Sequence, residues 1–146
     1  MATVVRSVDE LSAAIQPVLI GMVDELAQQV YVTLNYFLKR YYDSYDPQYY
    51  RRQYDFLYSA IKVKGKIVRG KIVAVVYIDT DSMNNYYQAS GEQVATWANE
   101  GLHGGKNLGT NTPHVWDNTI ASTVDDGTLL NEAIAYLRSH GIPVQA

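Results

Sequence analysis

No cysteine occurs in this chain, so disulfides, thiolate nucleophiles and cysteine-held metals are excluded. Proline is scarce: Pro17, Pro47, Pro113 and Pro143 are the only four in 146 residues, and each reads as punctuation between elements. No apolar run approaches the roughly 18–20 residues that span a bilayer, and no membrane partner is expected. The start, Met1-Ala2-Thr3-Val4-Val5-Arg6, lacks the charged region and long apolar stretch of a secretory leader. Internal repeats, low-complexity tracts and a separating linker are also missing. What remains is 47% hydrophobic and 18% charged, which points to one globular domain over residues 1–146 with a sizeable core.

Charge is unevenly spread. Residues 1–38 carry one basic and four acidic side chains, a net −3; residues 39–71 carry nine and three, a net +6; residues 72–146 carry two and eight, a net −6. These sum to the overall −3. Such asymmetry suits charge-complementary contact between copies, or a basic surface facing something anionic. A solvated basic hairpin is the plain alternative.

The pattern predicts an α+β fold: a long N-terminal helix, a small β-sheet with a central hairpin, and C-terminal helices packed on it. Ser7 and Glu10 form a capping box for a short helix over 8–15, whose apolar stripe is Val8, Leu11, Ala14 and Ile15. Pro17 starts a second, long helix over 17–42. Its stripe is Leu19, Val23, Leu26, Val30, Leu34, Phe37 or Leu38, and Tyr41. Asp46-Pro47 ends it in a turn. Residues 48–54 are basic and aromatic, and either a helical turn or an extended arm fits them. Two strands follow within 55–79. Ile61, Val63 and Ile67 alternate with Lys62, Lys64 and Lys66, Gly65 marks a bulge, and Arg69-Gly70 a turn. Lys71–Asp79 is apolar on both faces and reads as the buried, more central strand. Ser90 caps a helix carrying Val94, Trp97 and Ala98. Gly101–Gly109 is a glycine-rich loop. Thr112-Pro113 starts a helix with Trp116, Ile120 and Val124 on one side, broken at Asp125-Asp126-Gly127. The last helix begins near Thr128, packs Leu130, Ile134 and Leu137, and stops at His140-Gly141 with Pro143 beyond.

Catalytic constellations are weak. Gly101–Lys106 lacks phosphate-loop spacing, because Glu100 stands where the first glycine belongs and Asn107 follows the lysine. His103, His114 and Asp117 have no spacing that links them as metal ligands. A hydrolase or transferase built on the loop at His103 is the enzyme alternative. No Gly-x-Ser-x-Gly elbow occurs, and carboxylate pairs such as Asp125-Asp126 sit where helices cap. The set Tyr49, Tyr50, Arg51, Arg52 and Tyr54, followed by Lys62, Lys64, Lys66, Arg69 and Lys71, combines stacking surfaces with cations. It suits a protein interface, with a nucleic-acid-binding accessory role as the alternative.

Nine of the thirteen tyrosines lie between Tyr31 and Tyr58. Their order (Tyr41, Tyr42, Tyr45, Pro47, Tyr49 or Tyr50, Arg51 or Arg52), after a long helix and before a hairpin, resembles the tail-completion or neck proteins of long-tailed bacteriophages. Trp97–Gly105 and Leu137–Val144 resemble the same phage structural modules. The chain departs from that pattern at Arg51-Arg52-Gln53, where many relatives carry Arg-Thr. The resemblance implies a virion structural protein, assembled in the host cytoplasm as a six- or twelvefold ring of its own copies at the head–tail junction. Neighbouring connector and tail proteins would be its partners, and genomic DNA would pass through its channel. It implies no enzymatic activity and no cofactor; minor capsid or tail-terminator roles are neighbouring readings. On this expectation Tyr45, Tyr49, Tyr50, Arg51, Arg52, Tyr54, His103 and Lys106 make the interface. Lys62, Lys64, Lys66, Arg69 and Lys71 then face DNA or an acidic partner, and the 101–109 loop orders on assembly.

Overall fold

The structure, a computed structural model, describes residues 4–45, 54–83, 89–103, 106–107 and 112–145. Its organising element is one helix, α1, Val8–Asp43. Ser7 caps it, its hydroxyl accepting from the Glu10 amide at 3.1 Å. The Glu10 carboxylate accepts in return from the Arg6 amide at 2.8 Å, one residue earlier than in the usual reciprocal box. The expected break at Pro17 does not occur: the helix runs through it. Proline removes one amide donor and crowds the carbonyl four residues back. Here that carbonyl belongs to exposed Ala13, so water can take the freed acceptor. At about 1.5 Å per residue, 36 residues span about 54 Å.

The strands β1, Ala60–Val68, and β2, Lys71–Ile78, form an antiparallel hairpin. Arg69 and Gly70 both have positive φ, 50° and 75°, as a tight two-residue turn demands. Val63 pairs with Val75 and Lys66 with Val73, so Lys64 and Gly65 together oppose Ala74: the bulge expected at Gly65. Gly65 lets the hairpin lie on α1. Its amide donates to Asp24 Oδ1 at 3.2 Å, and a Cβ there would stand 2.8 Å from the Ile20 carbonyl oxygen. The expectation of a buried central strand fails. Among the described residues the sheet has two strands, and no residue of β2 is fully buried. Val76 and Ile78 pack toward the core, while Val75 and Tyr77 on the opposite face are exposed.

A 3-10 turn, Asp81–Met83, drops Met83 into the core. Helix α2, Gly91–Asn99, carries the capping box expected at Ser90, closed by Gln93. Two-residue strands β3, Leu102–His103, and β4, Lys106–Asn107, pair antiparallel. Helix α3, Val115–Ile120, continues as a π-helical turn, Ala121–Asp125. It starts later than Thr112-Pro113 suggested. His114 takes the cap position, its amide donating to Asn118 Oδ1 at 2.7 Å. Its buried stripe is also shifted: Val115, Thr119 and Thr123 are buried, whereas Val124 is exposed and Trp116 only packs against the core's flank. The two threonine hydroxyls each donate 2.7 Å to the carbonyl four residues back, which hides their polarity and leaves methyl groups for packing.

Helix α4, Thr128–Ser139, follows Gly127 at φ 81°. Leu130, expected in its core stripe, is 65% exposed, and Leu129 occupies the inward phase instead. The helix stops as expected at Gly141, φ 78°, where the Ile142 amide reaches Leu137 O at 2.9 Å and the Gly141 amide reaches Arg138 O at 3.1 Å. Tyr136 lies against Gly21 of α1, where any larger residue would meet its hydroxyl. The core gathers Leu34, Leu38, Tyr41 and Tyr42 of α1 with Phe56, Ala60, Met83, Ala98 and Val115.

Candidate interaction surface

The tyrosine stretch divides. Tyr41 and Tyr42 are core residues, 2% and 3% exposed. The Tyr41 hydroxyl donates to the Leu102 carbonyl at 2.7 Å and lies 3.2 Å from His103 Nδ1. The Tyr41 hydroxyl therefore bridges the Leu102 carbonyl and the His103 ring. The Tyr45 ring sits 3.9 Å from the His103 ring, centroid to centroid. Tyr54 stacks on Tyr42 at 5.9 Å and 17° and leaves about half of itself in solvent (49%). So Tyr45 and His103, expected at an interface, contact each other within the fold and tie the end of α1 to β3. Lys106 pairs with His103 across the short ladder. Tyr49, Tyr50, Arg51 and Arg52, the Asp46-Pro47 turn, and Gly104, Gly105, Leu108 and Gly109 of the loop lie outside the described residues.

Tyr41→Phe is expected to cost about 1–2 kcal/mol, because it takes a donor from the Leu102 carbonyl and removes one contact of the His103 ring. Urea unfolding would measure the loss, and amide exchange at Leu102 and His103 should rise more than exchange in α4.

The bulge redistributes the lysines. Residues paired across a ladder share a face, and the side-chain period is two. Lys62 pairs with Val76 on the side toward α1, where its amine lies 4.0 Å from Asp24 Oδ1. Lys66 pairs with Val73 and Lys71 with Val68 on the other side. Lys64 sits in the bulge and Arg69 in the turn, both exposed. The five cations therefore do not make one face. The outer face holds Ile61, Val63, Lys66 and Val68 beside Tyr77, Val75, Val73 and Lys71. It is apolar along most of its length and basic toward the turn.

A second uncovered apolar surface lies on the stripe that the sequence pattern marks in the short helix over 8–15. Every residue from Val4 to Ala14 is exposed, including Val4 (72%), Val8 (82%) and Leu11 (47%). Because α1 does not break at Pro17, these residues form an arm projecting from the body, not a separate helix folded onto it. The available signal was the i, i+3, i+7 stripe of Val8, Leu11 and Ile15, together with Val4 and Val5. A shallow concavity of about 420 Å³ beside it, lined by Val4, Val5, Arg6, Glu10 and Ala13, gathers no set of catalytic groups.

The remaining polar clusters are structural. Asn99 at the end of α2 clasps α3: its Oδ1 accepts from the Asp117 amide at 2.8 Å, its Nδ2 donates to Asp117 Oδ1 at 3.2 Å, and its carbonyl meets His114 Nδ1 at 2.9 Å. His103 lies elsewhere, against Tyr45. Among the described residues no three histidines, cysteines or carboxylates gather as a metal site, and no helix is long and apolar enough to cross a membrane. No buried side-chain nitrogen or oxygen among them lacks a partner.

Fold and surface together define a small α+β protein, built on one long helix, whose unsatisfied features are apolar faces. The chain belongs to the YomN family, whose family model matches residues 7–139. No curated protein and no solved structure is detectably similar to it.

Proposed function

We propose that this protein is a non-enzymatic structural component of a phage particle, forming a ring at the head–tail junction with an axial channel for DNA. The observation that carries the assembly role is the pair of uncovered apolar faces, the arm at 4–14 and the outer face of the hairpin. Monomeric soluble proteins rarely expose large contiguous apolar patches, and contact with another protein is one of the main uses of such a surface. The position at the junction rests on the resemblance of Tyr41–Arg52 and its flanks to neck proteins. Uneven charge fits that role: a +6 segment and a −6 segment in each copy favour ordered contacts with neighbours. Division of the lysines by the bulge weighs against the nucleic-acid alternative, which needs one continuous cationic track.

Deleting the gene from its phage should leave DNA-filled heads and separate tails. An antibody against the protein should label intact particles between the two. Normal particles made in its absence would sink the reading.

A further inference from the structure

We propose that the arm of one copy, residues 4–15, docks on the outer face of the hairpin of a second copy. This supplies the contact between subunits, and rests on the reading above for its closure into a ring. The hairpin is a two-stranded sheet, which is marginal unless a layer covers it. The long helix covers one face, through Gly65, Asp24 and the inward residues Val76 and Ile78. The other face bears Ile61, Val63, Val68, Val73, Val75 and Tyr77, with Val68, Val75 and Tyr77 at least 40% exposed. An amphipathic helix laid across it completes an ordinary helix–sheet–helix sandwich.

The arm fits that face in chemistry and length. Val8, Leu11 and Ile15 line one side of its helix. Residues 8–15 rise about 12 Å as helix, and four extended residues before them add up to about 13 Å. The eight residues of β2 run about 26 Å. Charge agrees as well. The arm carries Asp9 and Glu10 against one cation, Arg6, while no acidic residue lies between Asp55 and Asp79. Lys66 and Lys71 stand on the docking face near the turn, with Lys64 in the bulge and Arg69 in the turn, and the long stems of Lys66 and Lys71 reach the flank of a docked helix.

The occupant must be another copy. Within one chain the arm is continuous with α1, and α1 is seated on the opposite face of the same sheet. To reach the outer face it would have to unwind the helix around Ile20–Asp24 and pass the sheet edge. A donor surface and an acceptor surface that differ make a head-to-tail contact, the kind that closes into rings.

Because the chain has no cysteine, single introduced thiols report the contact without interference. Full-length Leu11→Cys and Val75→Cys proteins, each folded by circular dichroism, would be mixed and treated with a short bis-maleimide. The linker tolerates a residue or two of displacement along the face. A covalent pair containing one of each should dominate, and the doubly substituted chain should give a ladder of multimers. Leu11→Asp in the Val75→Cys background should lose assembly without losing fold. Pairing of Leu11→Cys with itself, pairing of Val75→Cys with itself, or no intermolecular product at any concentration would overturn the proposal. Because this assay uses purified protein, it stands apart from the phage experiment. A crosslink in a protein absent from particles keeps the contact and removes the junction. A protein found in particles but giving no crosslink does the reverse.

Discussion

Replacing Leu38 with alanine is expected to lower the unfolding free energy by about 4 kcal/mol. Leu38 is 0% exposed and belongs to a cluster with Leu34, Tyr41, Tyr42, Phe56 and Val115. The loss has two parts, the transfer energy of the missing carbons and the void they leave. The second part depends on whether neighbours can move in. Here they are poorly able to. Tyr41 is tied through its hydroxyl to Leu102, and the edge-on contact of Tyr41 with Phe56, ring centroids 5.7 Å apart, sets both planes. The backbone on either side belongs to a helix that is continuous from Val8 to Asp43. Against a typical total of about 5–15 kcal/mol, the loss should lower the melting temperature by roughly 10 °C. Leu130→Ala is the matched control. It removes the same atoms from a 65% exposed position, and should change stability by less than about 0.5 kcal/mol. Equal effects at the two sites would mean that the phase of α1 or α4 differs from that described.

Much of the fold was legible where one residue type decides a local geometry. Ser7, Ser90 and Gly141 act as the caps and stop they suggest, and Arg69-Gly70 and Gly65 as the turn and bulge. Legibility failed where the outcome depends on what surrounds a residue. Pro17 breaks a buried helix, but in an exposed one its cost is tolerable, and nothing local says which case applies. Thr119 and Thr123 count as polar in a periodicity, yet each satisfies its hydroxyl on its own helix and packs as an aliphatic residue.

The candidate surface shows the same divide. The alternation of lysines on β1 suggested one cationic face. The bulge that Gly65 announces reverses the phase after it, so the same motif both revealed the turn of the strand and undid the face. Among the expected contact residues, Tyr45 and His103 pair with each other, because Tyr41 brings β3 against the end of α1. The arm was visible as an apolar stripe on a short helix. That nothing covers it could be seen only once the rest of the chain had been placed.

Gly91→Ala is expected to cost about 3 kcal/mol, although position 91 is the first residue of a helix. Two effects oppose each other. Alanine favours helix over glycine by up to about 1 kcal/mol. Its Cβ, however, would run into the Thr80 carbonyl oxygen, with the Thr80 carbonyl carbon at 2.9 Å and Met83 Cβ at 3.0 Å. These atoms are backbone or next to it, so no rotamer change relieves the clash. The Thr80 oxygen also accepts the Met83 amide at 3.2 Å, so pushing it aside loosens the 3-10 turn that holds Met83 in the core. Moving Gly91 instead strains the Ser90–Gln93 box that starts α2. Overpacking of this kind costs about 1–3 kcal/mol, and more where backbone must yield. Gly141 separates this use of glycine from the other one. At φ 78° with nothing within 4 Å, its alanine variant has room but the wrong backbone conformation, and should lose only about 1–2 kcal/mol. Urea unfolding of both variants measures the difference. If Gly91→Ala is as stable as the parent, helix propensity has outweighed the contact and the approach of α2 to Thr80 must be looser than described. If it is the worse of the two, with exchange rising first at Met83 and Val94, the glycine is there for closeness and not for freedom.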